Sequence, residues 1–196
     1  MSLLIYKGKP SITTIVLHNT AVSRAVQPLQ GDSVGNHHRN KWNMVSELGF
    51  YTGYNFFCEP TGKRTQTRKI GEETIAQIGN NCDVPSRCGM VSYCMAGYFT
   101  KEKPTQFQVD DFTEFIRQIQ VKYPKVVLKQ HKDVYPSRTC AELTDAEIQK
   151  WLTTKPTKET KDQKIKRLTA SNDKLQGMNK QLIGMVTLLI SLITKK

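Results

Sequence analysis

The chain has 196 residues, enough for one packed core with an appendage and short of two ordinary domains. Lys and Arg total 29 against 17 Asp and Glu, a formal net charge of +12 that draws the protein towards polyanions: nucleic acid, anionic lipid or an acidic cell-wall polymer. Five cysteines, an odd number, behind an N-terminus that lacks a signal peptide's long apolar core, argue against a disulfide scaffold and for synthesis in a reducing cytoplasm.

Ile12 to His18 reads as a buried strand, apolar and β-branched, with His18 at its exit. Gly35 to Leu48 carries Trp42, Met44, Val45 and Leu48 at near-helical spacing and predicts a short helix ended by Gly49. On that helix His37 and His38 are adjacent, so they point apart and read as a solvated face, with His38 a secondary candidate for the groove. Tyr54 to Cys58 predicts a strand, the turn at Pro60, Thr61 and Gly62 follows, and Lys63 to Ile70 predicts its hairpin partner. Lys63, Arg64, Arg68 and Lys69 read as an exposed hairpin face, because the run lacks the interleaved aromatics of a nucleic-acid stacking platform.

Thr74 to Ile78 and Gly89 to Tyr98 read as further strands. Pro104 and Thr105 open a helix whose apolar stripe is Phe107, Phe112, Phe115, Ile116 and Ile119, and Pro124 stops it. Val126 to Leu128 is a short β-branched run leading to Gln130 and His131, and a last helix runs from Thr144 to Trp151, where Thr144 and Glu147 form a capping box. Strands and helices interleave. The expected fold is therefore α/β, a central mixed, partly parallel sheet flanked by helices, with a C-terminal heptad-repeat helix appended.

His18 and His131 each follow an apolar strand, and in open α/β sheets ligands gather beyond the carboxyl ends of the strands. If those strands are parallel the two histidines meet, and Cys140 arrives from the irregular segment after them. Two histidines and a cysteine make three metal ligands with the fourth position left for water, the pattern of catalytic rather than structural zinc. Each residue also has an ordinary reading: a hydrogen-bonded histidine at a strand end, a buried thiol at Cys140, a core aromatic at Tyr54. The evenly spaced Cys82, Cys88 and Cys94 read as buried or loop thiols in preference to a second metal site.

Five pieces in order resemble the zinc-dependent N-acetylmuramoyl-L-alanine amidases, the family of phage lysozyme-type amidases and peptidoglycan-recognition proteins. They are Ile15 to Ala21, Gly53 to Phe57, Gly89 to Phe99, the Pro104, Thr105, Gln106 helix start, and His131 to Val134 with Pro136 and Cys140. They cover about residues 12 to 152. The resemblance implies that His18, His131 and Cys140 bind zinc and that Tyr54 holds the attacking water or the tetrahedral intermediate. Arg138 stands where phage relatives tend to carry a lysine that stabilises the oxyanion, and Ile78 to Asn81 lacks a histidine that many relatives carry. It implies an endolysin made in the cytoplasm of an infected host and released onto the wall. Binding-only relatives typically lack the cysteine, so Cys140 favours an enzyme over a non-catalytic peptidoglycan-binding module.

The domain reading is a catalytic domain over 1–152, a polar linker over 153–160 and a helix over 161–196. Residues 153–196 hold ten basic and three acidic residues, so the tail is the more basic part for its length. Leu168, Leu175, Leu182 and Leu189 recur every seven residues, with Ile165, Asn172, Asn179, Val186 and Ile193 at the alternate core position. This pattern predicts a homo-oligomer, by default a parallel dimer. Met178, Ile183, Met185, Leu188, Ile190 and Leu192 widen the apolar face, which also suits a higher oligomer or contact with anionic lipid. The stretch Leu182 to Ile193 is shorter than the roughly 20 residues a membrane span needs. Specific nucleic-acid binding ranks last, since the heptads account for the tail.

Overall fold

The computed structural model describes residues 3–5, 12–27, 29–74, 89–137 and 139–153, with positions 176 and 183. The chain divides into two compact units, Met1–Pro156 and Thr157–Lys196, and the first is described below. Outside the described residues lie most of the expected strand Thr74 to Ile78, Cys82 and Cys88, Arg138, nearly all of the 153–160 linker and the heptad helix.

Five strands form one sheet in the order β3-β2-β4-β1-β5. They are β1 (Thr14–Asn19), β2 (Phe56–Cys58), β3 (Arg64–Gln66), β4 (Met90–Met95) and β5 (Val127–Gln130). β4 runs parallel to both β1 and β2, β1 runs parallel to β5, and β3 is the antiparallel edge. The mixed sheet matches the expected class. So does the condition on which the histidine site depends, since β1 and β5 are parallel with Leu17 opposite Gln130.

All six residues of β1 are buried, which is why the sequence reads as a continuous apolar run: both faces of the strand are covered. Alternation sorts the side chains. Ile15, Leu17, Phe56, Val91, Tyr93 and Met95 join the main core with Phe112, Phe115, Ile116 and Ile119 of α2 (Gln106–Lys122). Each such side chain contributes roughly 1.5–3 kcal/mol when fully buried. Phe57 and Cys94 point the other way, against Val34 of α1 (Gly31–Trp42), with Tyr54 packed on them. His18 alternates with Leu17 and so belongs to this second face.

α2 forms where the sequence predicts it. Thr105 accepts the Gln108 N–H at 3.2 Å while the Gln108 side chain accepts the Thr105 N–H at 3.0 Å. Gln108 also donates to Ala96 O at 2.8 Å and Cys58 O at 3.3 Å, fastening the helix start to the ends of β4 and β2. Phe107 departs from the expected stripe, being 41% exposed.

α1 is displaced from its expected place, starting and ending earlier. Its start is set from a distance: the Glu59 carboxylate accepts the Gly31 N–H at 2.8 Å and the Gln30 N–H at 3.1 Å. A Cβ on Gly31 would come within 2.9 Å of Glu59 Oε1, so a larger residue there would push back the carboxylate that holds the helix start. Its end is set by Asn43 in the left-handed region, whose N–H bonds Arg39 O. The hairpin strands are shorter than expected as well. Tyr54 and Asn55 precede β2, and Asn55 instead exchanges side-chain bonds with Ser92, accepting the Ser92 N–H at 2.9 Å.

Arg68 corrects the exposed-hairpin reading. It is 2% exposed, and its guanidinium donates to Thr52 O at 2.8 Å, Glu73 O at 3.2 Å and Met44 O, with Glu72 at 3.6 Å. A guanidinium offers five donors, and here it binds two loops to the hairpin.

Candidate metal centre

β1 delivers His18, 1% exposed, on the α1 face. β5 ends at Gln130 and the chain enters the single turn α3 (His131–Val134), so His131 stands at the exit of the adjacent parallel strand. The two rings have centroids 4.3 Å apart. The chain then returns: the Lys132 N–H donates to Cys140 O at 3.0 Å, and the Gln130 side chain bonds both the N–H and the carbonyl of Leu143. That return brings Cys140 Sγ to 3.6 Å from His18 Nδ1.

One donor atom from each of His18, His131 and Cys140 can be chosen so that all lie within 4.8 Å of one another. A tetrahedral ion with bonds of about 2.3 Å to sulfur and 2.0–2.1 Å to nitrogen holds those donors about 3.5 Å apart, which fits the Cys140–His18 separation. The donor chemistry fits too. Burial, and then the nearby charge of His131, push the His18 pKa well below its usual value, leaving the neutral imidazole that a metal requires. His18 Nε2 is buried with no hydrogen-bond partner among the described residues. The Asn19 N–H donates to Cys140 Sγ at 3.3 Å, which favours a thiolate.

Tyr54, from the segment before β2, packs its ring 5.0 Å from that of His18. Burial raises its pKa well above the usual value, and the neighbouring Cys94 and Cys140 raise it further. The phenol therefore stays protonated and can donate. Cys94 sits opposite His18 in the β1–β4 register, and burial, then Cys140, push its thiol up as well.

His38 is buried, not on a solvated helix face. Its Nδ1 accepts the Gly53 N–H at 2.9 Å, and its ring lies 5.5 Å from Tyr54 and 5.0 Å from Trp42. Burial, then the charges of His37, Arg68 and Lys41, lower its pKa to about 4. Tyr135 stacks on His131 at 6.4 Å. Sequence reasoning missed the parts of Asn19, Cys94 and Tyr135. Of these, Cys94 alone carried a signal, being a thiol in a strand that flanks β1. The structure thus brings His18, His131, Cys140 and Tyr54 together, while Arg138 lies outside the described residues.

No family model matches the sequence, and no curated protein matches it. Solved structures do match in fold. The N-acetylmuramoyl-L-alanine amidase LysC from Clostridium intestinale is 20% identical with a TM-score of 0.53, the match covering 79% of this chain and 99% of that one. The endolysin of Thermus scotoductus bacteriophage Ph2119 is 18% identical with a TM-score of 0.55, over 78% and 92%. Drosophila peptidoglycan recognition protein SD is 17% identical with a TM-score of 0.53, over 77% and 86%.

Proposed function

Because the chain has the fold of amidase endolysins and peptidoglycan recognition proteins, we propose that it is a zinc-dependent N-acetylmuramoyl-L-alanine amidase of the endolysin kind. Its substrate is the amide between N-acetylmuramic acid and the L-alanine of the stem peptide in bacterial peptidoglycan. The observation that carries this reading is the meeting of His18, His131 and Cys140 within 4.8 Å at one sheet edge. Three ligands leave a tetrahedral ion one open position, which is what hydrolysis needs and a closed structural site lacks.

His18 and His131 would hold the ion as neutral imidazoles and Cys140 as a thiolate steadied by the Asn19 N–H. Zinc held there would supply Lewis acidity and a water of near-neutral pKa. Tyr54 donates its phenolic hydrogen to the carbonyl oxygen as negative charge develops, and because it remains neutral it brings no competing charge. Arg138, two residues before Cys140 in sequence, is assigned a supporting positive charge for the same oxygen. The heptads of residues 161–196 are assigned to self-association, with anionic lipid the competing partner for their wider apolar end.

Cell walls incubated with the protein should lose turbidity and gain free L-alanine amino termini. Cys140→Ser should remove both activities together with bound zinc. Walls that are bound yet remain uncut would mark a peptidoglycan-binding module instead, and full lysis by metal-free protein would sink the proposal.

A further inference from the structure

His38 lies outside the metal trio, yet with Val34 it is one of the two buried residues of α1. Its Nδ1 accepts the N–H of Gly53, a buried bond of 2.9 Å, and Gly53 immediately precedes Tyr54. The Thr52–Gly53 peptide, one residue before Tyr54, is therefore fixed from α1 through its N–H and from Arg68 through its carbonyl. The carbonyl of Tyr54 is fixed on the other side by the Thr67 hydroxyl at 2.6 Å. The ring is held as well, with His38 at 5.5 Å and His18 at 5.0 Å, and Trp42 backs His38 edge-on at 5.0 Å. Tyr54 is thus gripped at its backbone and its ring.

Resting on the amidase reading above, we infer that His38 is a positioning residue for the reaction: by accepting the Gly53 N–H and packing on Tyr54, it holds the phenol where it meets the substrate carbonyl. A misplacement of about 1 Å in such a group is enough to cost orders of magnitude in rate. The role needs an acceptor at the Nδ1 position and a neutral ring, and an imidazole kept neutral by its surroundings supplies both.

Three replacements separate this role from simple packing. His38→Asn keeps an acceptor where Nδ1 stands, His38→Gln moves the acceptor one bond further out, and His38→Leu fills the space without one. With folding checked by thermal melting and zinc by metal analysis, His38→Leu and His38→Gln should lower kcat about tenfold or more at unchanged KM and zinc content. His38→Asn should stay within about threefold of the parent, and in a Tyr54→Phe background His38→Gln should cost less than about twofold further. Independently of turnover, the ring resonances of 13C-labelled Tyr54, assigned by their loss in Tyr54→Phe, should move in His38→Gln and stay in His38→Asn. Unmoved resonances in His38→Gln, or equal turnover in the Asn and Gln variants, overturn the positioning role. Moved resonances in a zinc-bound protein that cuts no wall overturn the amidase reading and confine His38 to orienting Tyr54.

Discussion

His18 Nδ1 lies 3.6 Å from Cys140 Sγ across a sequence separation of 122 residues. That distance is also the edge length of a tetrahedral ion shared by nitrogen and sulfur. An ion that binds only the folded chain stabilises it in proportion to the logarithm of its concentration over Kd, about 4 kcal/mol at a thousandfold excess. Zinc added to metal-free protein should therefore raise Tm and a chelator should reverse the change. Cys140→Ser and His131→Ala should abolish the zinc response, and a Tm indifferent to zinc in the unaltered protein would count against the centre.

Tyr54 touches the trio without belonging to it, and its buried phenol remains protonated. Tyr54→Phe removes one donor and leaves the ring. Turnover should fall about 100- to 1,000-fold, the usual cost of losing one oxyanion donor, with zinc stoichiometry and melting retained. Unchanged turnover would leave Tyr54 a packing residue.

The lowered pKa of His38 has a direct consequence for stability. Between its ordinary value of 6.5 and its folded value of about 4, the unfolded chain binds a proton that the folded chain refuses. The stabilisation is complete above pH 6.5, falls as acid is added through that window, and changes no further below about pH 4. Its size is at most about 3 kcal/mol. Denaturant midpoints from pH 7 to 4 should decline more steeply for the parent than for His38→Asn, and parallel declines would refute the assignment.

Arg68 is the buried charge on which the loops beside the site depend. Arg68→Leu leaves the carbonyls of Thr52, Glu73 and Met44 without their donor and Glu72 without its cation. The expected loss is about 3 kcal/mol or more, read from urea unfolding. Arg68→Lys keeps the charge but gathers its donors on one nitrogen where the three carbonyls are met by three, so it should fall between the two.

The features legible in the sequence were those that local chemistry determines. The β-branched run before His18 requires a buried strand, and Thr105 with Gln108 specifies the start of α2. The meeting of His18, His131 and Cys140 was legible because each stands at a strand exit or in the loop returning to it. What escaped was set by distant partners. Glu59 moves the start of α1 to Gly31, Gly53 and Trp42 draw His38 inward, and carbonyls from two separate loops bury an arginine that beside Lys69 reads as surface. Spacing along one segment carries no trace of an acceptor supplied by another.

The heptads of the tail make a prediction separate from the site. Leu168, Leu175, Leu182 and Leu189 recur every seven residues, and Asn172 and Asn179 recur at the alternate heptad position of the proposed helix. Asparagines at successive core positions find partners only when chains align in parallel and in register, so they select a pairing at some cost in stability. The full chain should sediment as a dimer or larger, and a chain ending at Thr153 as a monomer with wall-cutting activity intact. Asn172→Val together with Asn179→Val should strengthen association while loosening its stoichiometry, because removing the polar pair removes the constraint that fixed the register. A monomeric full chain that instead sediments with anionic vesicles would transfer the tail's apolar face to lipid.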